Sequence, residues 1–243
     1  MRREEVETLA KAIALANENH DAYPENELSS FLSMKGDQYD GKLMIVGRAV
    51  NGWRTTWTPG EKTSSDAMNL SKETVEDVTR PNRCPMLWVT DIWNGKENSS
   101  NKYKTRTSAY WRVAKKTVEG LNIADVRSKD WPSFLVWSNL YKLSHSEQGN
   151  PSERLQKIQF KACAELLMSE LKAYKPANVL MLTGLNWAKP FLVELGIQYY
   201  KPSDTTFVEG VAQFEGTKIV IAQHPQGKKE GLLVGEVLSK FDN

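Results

Sequence analysis

The sequence predicts an α/β fold, a mostly parallel, four-stranded central sheet with helices on both faces, and three observations predict it. Four short runs are almost wholly apolar, as strands covered on both faces are: "KLMIV" before Gly47, "SFLVWSNLYKL" with Asn139 near its end, "ANVLMLTG" ending at Gly184, and "TKIVIA" before Gln223. Segments whose apolar residues recur at helical spacing separate these runs. Each run gives way to glycine, amides or other polar residues, where a strand hands over to a loop. The chain has 243 residues, 40% hydrophobic and 26% charged. That is long enough to bury a sizeable core and too apolar for disorder. With no internal repeat and no linker rich in Pro, Gly or Ser, we expect one α/β domain over residues 1–243, with residues 1–40 as an N-terminal helical extension.

Each element has a local reason. Val6, Leu9, Ala10, Ile13 and Ala14 line one face of a helix over residues 2–18. "KLMIV" is the first strand. Residues 54–82 are polar and show no clear strand; a helix from about Ser65 would be stopped by Pro81. "PMLWVTDIW" fits strand or helix. "NGKENSSNKYKTRTS" is a loop, and "AYWRVAKKTVEGL" a helix. After the second strand, residues 150–176 form a long helix that Ser152 can cap and Pro176 ends. The third strand is followed by "NWAKPFLVELG", a helix that tolerates Pro190 in its first turn. "TTFVEGVAQFEGTKIVIAQHP" reads as a hairpin running into the fourth strand, and "KEGLLVGEVLSKF" as a closing helix.

Composition narrows the function classes. A net charge of +2 makes no case for a polyanion partner, but its distribution is uneven. Residues 1–40 carry nine acids against four bases, whereas Lys102 to Lys116 holds six bases and no acid. Such a run is usually a solvated face, and it is also what a phosphate backbone selects. Cys84 and Cys163 form no CxxC pair, so neither a zinc site nor a disulfide framework is expected. Residues 1–8 are charged and lead into no apolar signal region, and no stretch is long enough for a membrane span. We expect a monomeric cytoplasmic protein with no membrane contact, no metal and no cofactor. Most of the eight tryptophans are core or rim residues, and tryptophan also offers bases a stacking face.

In open α/β sheets ligands bind beyond the carboxyl ends of the strands. Gly47, Arg48, Asn51, Gly52 and Trp53 stand there after the first strand; Ser138, Asn139, Tyr141 and Lys142 end the second. Thr183, Gly184, Asn186 and Trp187 follow the third, and Gln223, His224, Pro225, Gln226 and Gly227 the fourth. The set contains no acid. GxxxxGK[ST], GxGxxG and GxSxG are all missing, which removes ordinary phosphate loops, dinucleotide sites and serine hydrolases. An asparagine amide suits a nucleobase, because its acceptor and two donors lie in one plane and match a carbonyl and N–H pair on a base edge. Its bland alternative is a bond to neighbouring backbone. His224, fixed by the following Pro225, is aimed from a core strand.

In their order and in their placement at strand ends, "GRAVNGW", "WSNLYKL", "ANVLMLTG" and "AQHPQG" resemble the uracil-DNA glycosylase superfamily, over residues 42 to about 230. The segment from Asn139 to Gly184 is most similar to its iron–sulfur members, with Asn, a nearby Lys, a helix carrying Cys and Glu, then Pro, an apolar strand and Gly. The resemblance implies a three-layer α/β/α sandwich and base excision from single- or double-stranded DNA. It implies that Asn139 reads the base edge and that His224 stabilises charge on the departing base. Gly47, Arg48 and Trp53 would line the pocket, with Trp53 or Trp57 stacking on a flipped base. Lys102, Lys104, Arg106, Lys228 and Lys229 would follow the DNA strand.

The chain also departs from that pattern. Arg48, Ala49 and Val50 stand where the family places a water-activating side chain and a proline, so Asn51 would have to position the water. Gln226 replaces the serine after His-Pro, and the iron–sulfur cysteine set is missing. Two other readings stay open: a nucleic-acid or nucleotide binding protein of the same fold that does not cleave, and a small-molecule enzyme on a generic α/β sheet.

Overall fold

The computed structural model describes residues 2–61, 64–79, 83–93, 104–147 and 149–242. Among these, ten strands run in chain order: β1 Leu28–Ser30, β2 Met34–Lys35, β3 Leu43–Gly47, β4 Thr56–Trp57, β5 Leu135–Asn139, β6 Leu143–His145, β7 Asn178–Met181, β8 Tyr199–Tyr200, β9 Val208–Phe214 and β10 Thr217–Ala222. Seven α-helices accompany them: α1 Arg2–Glu18, α2 Ser64–Thr79, α3 Trp88–Trp93, α4 Ala109–Gly120, α5 Glu153–Tyr174, α6 Leu185–Glu194 and α7 Glu230–Asp242. The chain is mixed α/β, and it divides into two units.

The second unit comprises residues 34–46, 82–137 and 176–243, and carries a seven-stranded mixed sheet in the order β2-β5-β3-β7-β10-β9-β8. Only the strand tips Gly47, Ser138 and Asn139 are assigned to the other unit. The four apolar runs are the contiguous centre of this sheet. β3 pairs with β7 in parallel, Leu43 opposite Asn178 through Val46 opposite Met181, and β7 pairs with β10 in parallel. Leu43 to Val46, Val179 to Met181 and Ile219 to Ala222 are all buried, as the unbroken apolar sequence requires. The sheet exceeds the expected four strands because two short edge strands carry little signal of their own and the hairpin adds a further arm beside the fourth strand. β2 and β8 are two residues each, and β9 is the antiparallel arm of the anticipated hairpin. That hairpin turns at Glu215 and Gly216, both at positive φ, as a tight hairpin turn requires.

One open reading is resolved in this unit and one expectation changes. "PMLWVTDIW" forms a 3₁₀ turn, Pro85–Leu87, and then the short α3. Helix α6 starts at Leu185, so Pro190 lies in its interior rather than in the first turn. Trp88, Trp111 and Trp137 pack with ring centroids 5.3 to 5.4 Å apart, so these three tryptophans are core.

The first unit comprises residues 1–33, 47–81 and 138–175. Its small antiparallel sheet, β4-β1-β6, pairs Leu28 with both Trp57 and His145. Helix α1 packs against α2 and α5 through the apolar face read from the sequence, with Leu9 and Ile13 fully buried. The run "SFLVWSNLYKL" is therefore not one strand: its end leaves the large sheet after Asn139 and forms β6 here. The segment read as a helical extension also supplies β1 and β2. Ser152 caps α5 by accepting from the Leu155 N–H at 3.3 Å, and Glu25 in turn accepts from the Ser152 N–H and hydroxyl. Lys175, at φ 44°, ends the helix in the left-handed conformation before Pro176.

Candidate functional site

Asn139 is the last residue of β5 and is 2% exposed. Its backbone is bonded on both sides. The Asn139 carbonyl accepts from Lys142 Nζ at 2.8 Å, and the next N–H, of Leu140, donates to Gly47 O at 2.9 Å. Its side chain is different: Nδ2 is buried and has no hydrogen-bond partner among the described residues. The bland alternative, a carboxamide spent on neighbouring backbone, is not what this Nδ2 does. Buried amides are nearly always paired, and leaving one unpaired costs roughly 1–3 kcal/mol, so this orphan donor at a strand end is an unmet hydrogen-bonding capacity.

A buried polar cluster holds this strand end. Lys142 and Glu170 are both fully buried. The Lys142 ammonium donates to Glu170 Oε1 at 2.7 Å, to Ser138 Oγ at 2.7 Å and to Asn139 O, which uses its three protons. The Ser138 hydroxyl donates to Glu170 Oε2 at 2.7 Å and closes the ring. Three turns earlier on α5, Gln159 acts as a substitute strand. Its Oε1 accepts from the Lys142 and Leu143 N–H groups, and its Nε2 donates to Leu143 O. Cys163 donates to the same Oε1 at 3.2 Å, and burial pushes its thiol up to about 12.

The loop after β3 is laced to the chain that follows Asn139. Gly47 O and Arg48 O accept from the Leu140 and Tyr141 N–H groups, and Val50 O accepts from the Ser144 hydroxyl at 3.0 Å. Gly52, at φ +79°, lies so close to the Ser146 carbonyl that a Cβ would overlap it. Only glycine serves at that position. Asn51 is exposed, and its Oδ1 accepts from the Gly149 N–H at 2.8 Å, which ties the two loops together. Trp53 is half-buried and meets Phe31 edge-on at 5.4 Å. Trp57 is core, 3% exposed with its indole N–H donating to Asn17, so it offers no stacking face. Gly47, Arg48, Asn51, Trp53 and Asn139 thus all belong to the first unit.

His224, Lys104, Arg106, Lys228 and Lys229 belong to the second unit, and Lys102 lies outside the described residues. His224 is half-buried two residues beyond β10 and is followed by the buried Pro225. The Gln226 N–H donates to His224 Nδ1 at 3.4 Å.

The two predicted basic groups, distant in sequence, are connected by Arg112 of α4. Its guanidinium donates to Glu230 Oε1 at 2.9 and 2.5 Å, and to the Thr107 and Arg106 carbonyls. Lys116 donates to Glu230 Oε2 at 3.0 Å. The hydrogen bonds from Arg112, then Lys116, hold the Glu230 carboxyl below its ordinary range. Lys104 and Arg106, and Lys228 and Lys229 next to Glu230 in the chain, are all exposed. Lys228 and Lys229 also edge an open groove of about 630 Å³ along α7, lined by Gly231, Leu232 and Gly235.

Sequence reasoning singled out Asn139 and both basic groups. It did not assign roles to Lys142, Glu170 and Gln159, or to Arg112 and Glu230. The first set had a weak signal, since Glu170 and Gln159 lie three turns apart on a buried helix face otherwise made of Leu, Ala, Cys and Tyr. Among the described residues, no group of three or more His, Cys, Asp or Glu side chains could hold a metal ion, and no helix is long and apolar enough to cross a membrane. The sequence matches no protein-family model and no curated protein.

Proposed function

We propose that this protein recognises a nucleobase in DNA through Asn139 and, like the uracil-DNA glycosylases it resembles, releases that base by hydrolysis of its N-glycosidic bond. The buried, unpartnered Nδ2 of Asn139 on a tightly bonded strand end is the observation that carries the proposal. A base edge offers the carbonyl acceptor that this donor lacks, in the plane the amide presents. On this reading β5-β3-β7-β10 is the counterpart of the family's four-stranded sheet within a three-layer α/β/α sandwich. The resemblance assigns His224, in the second unit, to the carbonyl oxygen on which negative charge gathers as a base departs. Lys104, Arg106, Lys228 and Lys229 are assigned to phosphates.

A second reading, base binding without cleavage, is favoured by the loop after β3. It offers no carboxylate, and the Asn51 oxygen that would orient water is engaged by Gly149. One experiment separates the two. Oligonucleotides carrying uracil, hypoxanthine or xanthine, single- and double-stranded, are incubated with excess protein and probed for abasic sites, while binding is followed as a function of salt. Base release that is lost in Asn139→Ala and in His224→Ala supports excision. Base-dependent binding without release selects the second reading. Neither release nor base-dependent binding on any substrate rejects both. Replacing Lys228 and Lys229 with Ala is expected to flatten the log–log salt slope on single strands by about 1.4, roughly 0.7 for each phosphate no longer neutralised.

A further inference from the structure

We infer that Lys142 and Glu170 are positioning residues that set the Asn139 carboxamide for base reading. The inference rests on the proposed role of Asn139 and adds to it the machinery that aims the amide.

Three observations lead there. First, the pair is out of contact with solvent, both side chains 0% exposed. Removing two charges from water is costly, and an apolar pair of similar volume usually serves a core equally well or better. Packing alone therefore does not call for a lysine and a glutamate at these positions. Second, the pair bonds to the strand end itself. Of the three ammonium protons, one is held by the Asn139 carbonyl and one by the hydroxyl of the preceding residue, whose own proton goes to the other glutamate oxygen. Beyond Asn139, the Leu140 N–H is held by Gly47 O, and Gln159 holds the backbone of residues 142 and 143. Third, although all of these backbone groups are bonded, the Asn139 amide nitrogen is a buried donor with no partner among the described residues. Base reading by a carboxamide needs the amide held to within about half an ångström by a bonded supporting shell, and that is what this ring supplies.

The same geometry excludes a more familiar role. Lys142, fully buried with each proton bonded, cannot attack a sugar carbon or touch a phosphate, so it acts only through Asn139.

The test uses the full-length protein with both charges replaced together, Lys142→Met/Glu170→Met, so that no buried charge is left alone. Three properties are measured: thermal melting, affinity for matched oligonucleotides with and without a base at one position, and the ¹⁵N–¹H signals of the Asn139 side-chain amide, assigned by comparison with Asn139→Ala. The double variant is expected to stay folded, melting far closer to the wild type than Lys142→Met does, and to bind the base-free oligonucleotide with unchanged affinity. Its base preference should fall by roughly tenfold, the size of one good base-edge contact, and its Asn139 amide signals should shift and broaden. Unchanged base preference and unchanged Asn139 signals in the folded double variant overturn the inference. If the wild type itself shows no base preference, the reading of Asn139 fails, and the amide signals still decide whether the pair positions it. Should the double variant not fold, Ser138→Ala opens the same ring while keeping the ion pair, and the same shift of the Asn139 signals is required of it.

Discussion

Replacing Lys142 alone with methionine should be among the most damaging single substitutions in the first unit. Methionine fills nearly the same volume, so the cost is electrostatic. Glu170 would keep one bond, from the Ser138 hydroxyl, and lose its counter-charge in a site with no solvent contact. The Asn139 carbonyl and the Ser138 oxygen would each lose a donor as well. Breaking one side of such a buried pair costs about 3–5 kcal/mol. In a chain of 243 residues each kcal/mol lowers the melting temperature by about 2–4 °C, so the drop is about 6–20 °C. The double substitution to methionine removes the orphaned charge and should recover most of that loss. The assay is a double-mutant cycle by urea unfolding, followed by tryptophan fluorescence, with melting temperatures in parallel. A cost below about 1 kcal/mol for Lys142→Met, or a double variant as unstable as the sum of its singles, would refute the account of this cluster.

Three further outcomes follow from other contacts. Gly52→Ala forces an alanine to φ +79° against the Ser146 carbonyl, and should cost about 1–3 kcal/mol in urea unfolding while weakening any base-dependent binding. The Glu230 carboxyl is held below its unfolded value by Arg112 and Lys116, so its contribution is present above the unfolded value, about 4.3, and is lost as pH falls through the folded one. Between pH 6 and pH 3 the wild type should therefore lose more stability than Glu230→Gln; equal losses in acid titrations of the two would exclude this linkage. Cys163, buried and with its thiol pushed up to about 12, should resist thiol reagents at pH 8 until the protein unfolds. Rapid labelling of the native Cys163, followed by mass spectrometry, would show that α5 opens locally.

What the sequence revealed and what it concealed have physical causes. The central strands were legible because burial on both faces makes them continuous apolar runs, and "KLMIV" and "TKIVIA" leave little choice. The long helix over Glu153–Tyr174 announced itself through Ser152 and Pro176. Strands β1, β4 and β6 were not legible, because two or three residues such as "LSS", "TW" and "LSH" show no periodicity, and their pairing joins residues 28, 57 and 145. For the same reason "SFLVWSNLYKL" read as one strand: nothing local says that the chain changes sheets after Asn139.

Among the candidate residues, Asn139 and His224 stood out because each stands where an apolar run ends. The ring that holds Asn139 was hidden, since Lys142 and Glu170 are 28 positions apart and a lysine is ordinarily read as a surface residue. The link between the two basic groups was hidden in the same way, as Arg112 and Glu230 lie 118 positions apart.

The most direct measurement is the ratio of affinities for two oligonucleotides that differ only in having or lacking one base, taken for the wild type and for Asn139→Ala at fixed salt. Base reading by Asn139 predicts a clear preference in the wild type, reduced roughly tenfold or more in the variant, with affinity for the base-free strand unchanged. An equal ratio in the two proteins, across uracil, hypoxanthine and xanthine, would contradict it.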